Sequence, residues 1–237
     1  MKLNINDFVN NPNGNLATFE RKPLLNQTTD LKNFFSLFQS KFKEIEREKF
    51  ICTEESKALV YTLIYFFQKK ENFKNSSLLF EHSHSSTNLN KGLVIVGGFG
   101  CGKTSILRVF QQIINENNHV NLKFTTTVDA VSKFESIQDE NMHDFKECLY
   151  KGHLIIDDLL AEKQAPRFGK SELFEEVLFQ RLENKKMNNI ITMNYDSEHP
   201  NDMEYAINKL SRYGGRVFDR ILGNFNFIEL HGKSFRN

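Results

Sequence analysis

The chain has 237 residues, 39% hydrophobic and 26% charged, with a formal net charge of +1. That length suits one full domain plus a small extension, and the near-neutral balance excludes a globally basic nucleic-acid coat, so any DNA contact must be local. Three scattered cysteines, Cys52, Cys101 and Cys148, lack metal-ligand spacing and point to a reducing cytosol rather than a disulfide scaffold. The first residues are too polar for a signal peptide, and no apolar run approaches the roughly 20 residues of a membrane span, so the expected location is cytoplasmic, with no membrane partner. Phe occurs 23 times and Trp not at all, which reads as core filling by Phe.

Residues 1 to about 30 are polar and Asn-rich, with Pro12 and Pro23, and read as an extended arm. Residues 31–48 carry Leu31, Phe34, Phe35, Leu37, Phe38, Phe42 and Ile45 at the spacing of an amphipathic helix. A second helix is expected over residues 54–70, with apolar coverage broad enough to imply burial. His82 and His84 lie in a Ser-rich loop without further ligands nearby, so that segment reads as solvated loop rather than metal site. Leu93-Val94-Ile95-Val96 is a short, mostly β-branched run that reads as a buried strand.

That strand leads into Gly97-Gly98-Phe99-Gly100-Cys101-Gly102-Lys103-Thr104-Ser105, which fits the phosphate-loop pattern G-x-x-x-x-G-K-[ST]. Behind it, Ile106, Leu107, Phe110, Ile113 and Ile114 recur at helical spacing. Glycines let backbone N–H groups turn inward, and the helix N-terminus adds a positive dipole end, so a polyphosphate is cradled. Lys103 reaches the β/γ-phosphates and the Thr104 hydroxyl ligates Mg²⁺. The chain is therefore expected to bind a nucleoside triphosphate.

Strands and helices then alternate, as in a parallel sheet flanked by helices: strand 122–126, helix 129–137, helix 142–150, strand 153–156, helix 172–184, strand 189–193, helix 201–211, helix 216–222 and strand 225–230. The strand His153-Leu154-Ile155-Ile156 ends in Asp157-Asp158, where a carboxylate that holds Mg²⁺ belongs. Asp157 is assigned to the metal, mostly through water, and Asp158 to polarising the attacking water. Asn194, at the tip of the strand after that, is placed to bond the γ-phosphate or position the water. Arg216 and Arg220 share one helical face; they are either paired with local acids such as Asp219 or an arginine finger for a neighbouring subunit's nucleotide. Lys209, Arg212, Tyr213, Lys233 and Phe235 offer part of a single-stranded DNA contact, or equally a solvated surface.

Taken in order, these segments resemble the AAA+ helicase-loader family, the DnaC/IstB-like ATPases. Ile155-Ile156-Asp157-Asp158-Leu159-Leu160-Ala161-Glu162 resembles its "I-D-D-L-G-x-E" signature, with Leu160 in place of Gly. Phe179-Gln180-Arg181-Leu182 and Ile190-Ile191-Thr192-Met193-Asn194 resemble its arginine-bearing helix followed by "I-x-T-S/T-N". Arg216-Val217-Phe218-Asp219-Arg220-Ile221 resembles "R-V-x-D-R-L", and Gly232-Lys233-Ser234-Phe235-Arg236 resembles "G-x-S-Y/F-R". The match covers roughly residues 90 to 236.

The resemblance implies an α/β P-loop NTPase with an AAA+ core: a parallel sheet flanked by helices, without a C-terminal helical lid, and with a small, mostly helical N-terminal extension. The expected division is residues 1–50 as an extension that grips a helicase and 51–237 as the ATPase domain. It further implies that ATP and Mg²⁺ bind at residues 97–105, with Lys103 and Thr104 as Walker A, Asp157 and Asp158 as Walker B, and Asn194 as sensor 1. Arg220 is the first candidate for the finger, Arg216 the second, and Arg181 is trans-acting or structural. Asp158 stands where many relatives carry Glu, which implies slow hydrolysis stimulated by self-association through the nucleotide site. The implied function is loading a DnaB-type replicative helicase onto single-stranded DNA; the alternative is an IstB-like helper of a transposase.

Overall fold

The computed structural model describes residues 21–82, 86–117, 120–162, 172–184 and 187–235. Most of the expected N-terminal arm, His84 and Arg236 lie outside the described residues. Helix α1 (Leu31–Glu46) starts at Asp30, whose carboxylate accepts the N–H groups of Lys32 and Asn33, and stops at Arg47 in the left-handed conformation. Helix α2 (Glu54–Gln68) opens on a reciprocal capping box between Thr53 and Ser56 and ends at Lys69, also left-handed.

The sheet strands are β1 (Leu79–Phe80), β2 (Gly92–Gly97), β3 (Leu122–Thr126), β4 (His153–Asp157), β5 (Asn189–Asn194) and β6 (Phe225–Leu230), in the order β1-β6-β2-β5-β4-β3. All neighbours are parallel except β1, which runs antiparallel to β6 with Leu79 opposite Ile228. Between them lie α3 (Lys103–Asn117), α4 (Thr127–Ser136), α5 (Asp139–Tyr150), α6 (Leu173–Glu183), α7 (Met203–Asn208) and α8 (Gly215–Asn224). The helix expected over 201–211 is shorter than read. It passes into a 3-10 turn over Lys209–Tyr213 that ends at Gly214, whose φ of 84° stops it.

β2 shows why the sheet is the centre of the core. Its residues alternate, so Leu93 and Ile95 pack on one face and Val94 and Val96 on the other, all fully buried. The Leu93 face is covered by α1, α2 and α3; the Val94 face by the helices that follow β3. Much of the Phe content fills the first layer: Phe34 and Phe38 of α1 lie 5.7 and 5.4 Å, ring to ring, from Phe110 of α3. Part of the segment expected as an extension thus shares a core with the phosphate-loop helix. Parallel register sets Gly97 opposite Asn194, which brings the carboxyl ends of β2 and β5 together beside the Asp157 end of β4.

Candidate functional site

The loop between β2 and α3 turns through left-handed glycines, Gly100 at φ 75° and Gly102 at φ 89°. Gly97 has no room for a side chain, since a Cβ there would lie 2.8 Å from the Leu230 carbonyl oxygen. The loop aims Lys103 inward: only 5% exposed, its Nζ donates to the carbonyls of Gly97 and Gly98 at 2.8 and 2.9 Å and to Asn194 Oδ1 at 2.9 Å. Burial lowers the pKa of this ammonium, opposed by Cys101 and the two carboxylates. Cys101 is buried and its thiol donates to the Gly98 carbonyl at 3.0 Å, so it serves as a small loop residue.

Asp157, 1% exposed, accepts the Thr104 hydroxyl on Oδ2 at 2.9 Å and the Thr192 hydroxyl on Oδ1 at 2.7 Å. Its pKa is raised above the usual carboxylate value by burial, against those two hydrogen bonds. Asp158 adopts φ 55°, unusual outside glycine. Its N–H donates to Thr192 Oγ1 at 2.9 Å, its carbonyl accepts Thr127 at 2.7 Å, and its carboxylate accepts Asn194 Nδ2 at 3.0 Å. Leu160, which replaces the resembled family's Gly, also has positive φ, 76°, so the backbone keeps the glycine conformation despite the side chain.

A cavity of about 230 Å³ opens over these groups. Residues 100–105, Asp158 and Asn194 line it together with Glu46, Glu48 and Lys49; Phe42, Phe50, Ile51, Phe99 and Phe235 bring apolar surface. The described side chains fit a magnesium triphosphate. A buried ammonium is met by neutral oxygens, which leaves an anion as its natural counterpart. Thr104 and Asp157 present the hard oxygen donors that Mg²⁺ takes.

The predicted residues thus divide in two. Lys103, Thr104, Asp157, Asp158 and Asn194 converge, whereas the arginines do not reach the cavity. Arg220 pairs with Glu183 of α6 rather than with Asp219 and stacks 4.9 Å from the Phe179 ring centre. Arg216 is exposed beside Glu175, Glu176 and Phe179 in a separate depression. Arg181 is structural: 1% exposed, it donates to Asn189 Oδ1 at 2.6 Å and to the carbonyls of Leu149 and Gly152 at 2.6 and 2.7 Å.

Tyr213 is corrected as a DNA-contact candidate. It is fully buried, its hydroxyl 2.5 Å from Glu162 Oε1. Arg212 is engaged with Glu172 and Lys209 with Asp196. Sequence reading missed Thr192 as the residue that ties β5 to both aspartates; its signal was a lone hydroxyl in the Ile190-Ile191-Thr192 run. It also missed Phe42, Phe50 and Ile51 as cavity walls, because Phe42 sits in an ordinary core stripe and Phe50-Ile51 fall in the link between two helices.

A family model described as the bacterial DnaA ATPase domain matches residues 60–214, well over half of the chain. Among solved structures, the crystal structure of the DnaC helicase loader aligns with a TM-score of 0.50 at 22% identity, covering 76% of this chain and 93% of that one. The crystal structure of DnaI gives 0.47 at 20% identity, covering 76% and 87%. AMPPCP-bound DnaA from Aquifex aeolicus gives 0.46 at 16% identity, covering 76% and 48%. No curated protein matches the chain. The fold is that of a P-loop AAA+ core, and among the described residues no helix is long and apolar enough to cross a membrane.

Proposed function

Because this chain belongs to the family of the bacterial DnaA ATPase domain, we propose that it binds ATP with Mg²⁺ at residues 97–105, hydrolyses it slowly, and loads a DnaB-type replicative helicase onto single-stranded DNA. The observation that carries the nucleotide half is the convergence of Lys103 with Asn194 and of Thr104 with Asp157 at the adjoining ends of β2, β5 and β4. Likeness in fold to a DnaC helicase loader supports the loading half.

In this scheme Lys103 exchanges the loop carbonyls for the β/γ-phosphates, and Thr104 with Asp157 holds the metal. Bound Mg²⁺ supplies neutralisation of charge that builds on the phosphate oxygens. Asp158 orients the attacking water, and Asn194, hydrogen-bonded to both Lys103 and Asp158, couples the phosphate end to that water. Among the described residues, no arginine of its own chain lines the cavity. Arg220, or Arg216 in second place, completes it from a neighbouring subunit, so hydrolysis waits on self-association.

The test is ATP turnover by the full chain alone, with single-stranded DNA, with the cognate DnaB-type helicase, and with both. Stimulation by the pair and capture of the helicase are expected. Failure to capture the helicase both with and without ATP would overturn the loading function while leaving ATP binding standing.

A further inference from the structure

Beyond β6 the chain doubles back over the phosphate loop. The Phe235 N–H donates to the Gly100 carbonyl at 3.0 Å, and Gly232 lies beside Cys101, where a Cβ on the glycine would sit 3.5 Å from the cysteine Cβ. This strap, residues 231–235, brings the Phe235 ring over Gly102: a Cβ built on Gly102 would meet ring carbons at 3.4 and 3.6 Å. The ring is partly buried and lines the same cavity as Lys103.

The cavity lining combines polar and apolar groups, with Glu46, Glu48 and Lys49 set between Phe42 and Phe50 in the sequence. Its phosphate-binding groups are Lys103, Thr104, Asp158 and Asn194. Its apolar surface comes from Phe42 and the Phe50-Ile51 pair on one side of the chain's sequence and from Phe235 on the other, more than 180 residues apart. A triphosphate alone has no use for that apolar surface; a planar nucleobase does, because every base has a π-face that stacks on aromatic rings.

We infer that Phe235 is a wall of the nucleobase end of this site, so that the C-terminal strap closes on the base of the bound nucleotide. The inference rests on the nucleotide reading of residues 97–105 and adds a residue that selects for nucleoside over bare polyphosphate.

The test compares ATP with inorganic tripolyphosphate, which carries the phosphates without the base, by titration calorimetry on the full chain. In Phe235→Ala, ATP affinity falls about ten-fold while tripolyphosphate affinity is unchanged. The chain has no Trp, so Phe235→Trp, which keeps an aromatic ring, gives a single indole whose fluorescence changes with ATP and not with tripolyphosphate. Equal losses for both ligands in Phe235→Ala, or an indole that ATP leaves silent, overturns the assignment and makes Phe235 a brace. A wild-type chain that binds neither ligand overturns the nucleotide site itself.

Discussion

Thr192 donates its hydroxyl to Asp157 at 2.7 Å while accepting the N–H of Asp158 at 2.9 Å. One fully buried side chain on β5 therefore fixes the position of both acidic residues at the end of β4. Thr192→Val preserves shape but leaves the Asp157 oxygen and the Asp158 N–H without this partner. Stability is expected to fall by about 1–3 kcal/mol, with ATP affinity becoming less responsive to Mg²⁺; Thr192→Ser restores both. Urea denaturation and ATP binding across a magnesium series measure the two effects. A Val variant with wild-type Mg²⁺ response would show that the aspartates are held by other contacts.

Lys103 and Arg220 are expected to fail in different ways. Lys103→Ala removes the ammonium at the cavity floor and abolishes ATP binding. Arg220 is held on its own subunit by Glu183, with side chains 38% and 54% exposed, and an exposed pair of this kind is worth at most about 1 kcal/mol. It releases its arginine at little cost. Arg220→Ala keeps ATP affinity and basal turnover but loses the stimulation produced by assembly, read as rate against protein concentration. Stimulation equal to wild type would remove Arg220 as the finger and leave Arg216.

Arg181 separates a structural arginine from a trans-acting one. Its guanidinium bridges α6, β5 and the carbonyls of Leu149 and Gly152 around the end of α5, and burial with Arg21 nearby lowers its pKa to about 10. Arg181→Met strands three buried acceptors, which is expected to cost about 3 kcal/mol. Turnover per folded molecule and its stimulation by assembly remain at wild-type level. A variant of normal denaturant midpoint that lost only the stimulation would reverse the assignment.

The strands around the site were legible because burial on both faces forces uninterrupted apolar runs such as Leu93-Val94-Ile95-Val96, and the loop after them because phosphate binding needs glycines at fixed spacing. β1 was not legible: two residues become a strand only because β6, far along the chain, offers Leu79 a partner in Ile228. The aspartates could be read from their place after a strand. Thr192 could not, since a strand hydroxyl gives no sign of which neighbour it will meet. Arg181 was ambiguous for a similar reason, its carbonyl partners lying 29 and 32 residues away in sequence. Phe42 follows the periodicity of a core stripe, and only the packing of α1 on α3 turns it toward the nucleotide cavity; Phe50, in the link between α1 and α2, follows no periodicity at all.

Lys69 predicts how stability varies with pH. At the end of α2 its Nζ donates to the Leu89 carbonyl at 2.6 Å and to Asn188 Oδ1 at 3.4 Å, above the Phe66 ring at 4.4 Å. Burial, with Arg21 adding repulsion, lowers its pKa from 10.5 to about 7. Between those values the unfolded chain binds a proton that the folded chain does not, so stability rises with pH across the window, by at most about 1.4 kcal/mol per unit for this group. Below pH 7 both states are protonated and the penalty of burying the charge is at its full, constant value. Lys69→Met removes the titrating group, and its urea midpoint should rise less steeply than that of wild type from pH 7 to 10. Parallel pH profiles for the two proteins would show that Lys69 keeps its ordinary pKa in the folded chain.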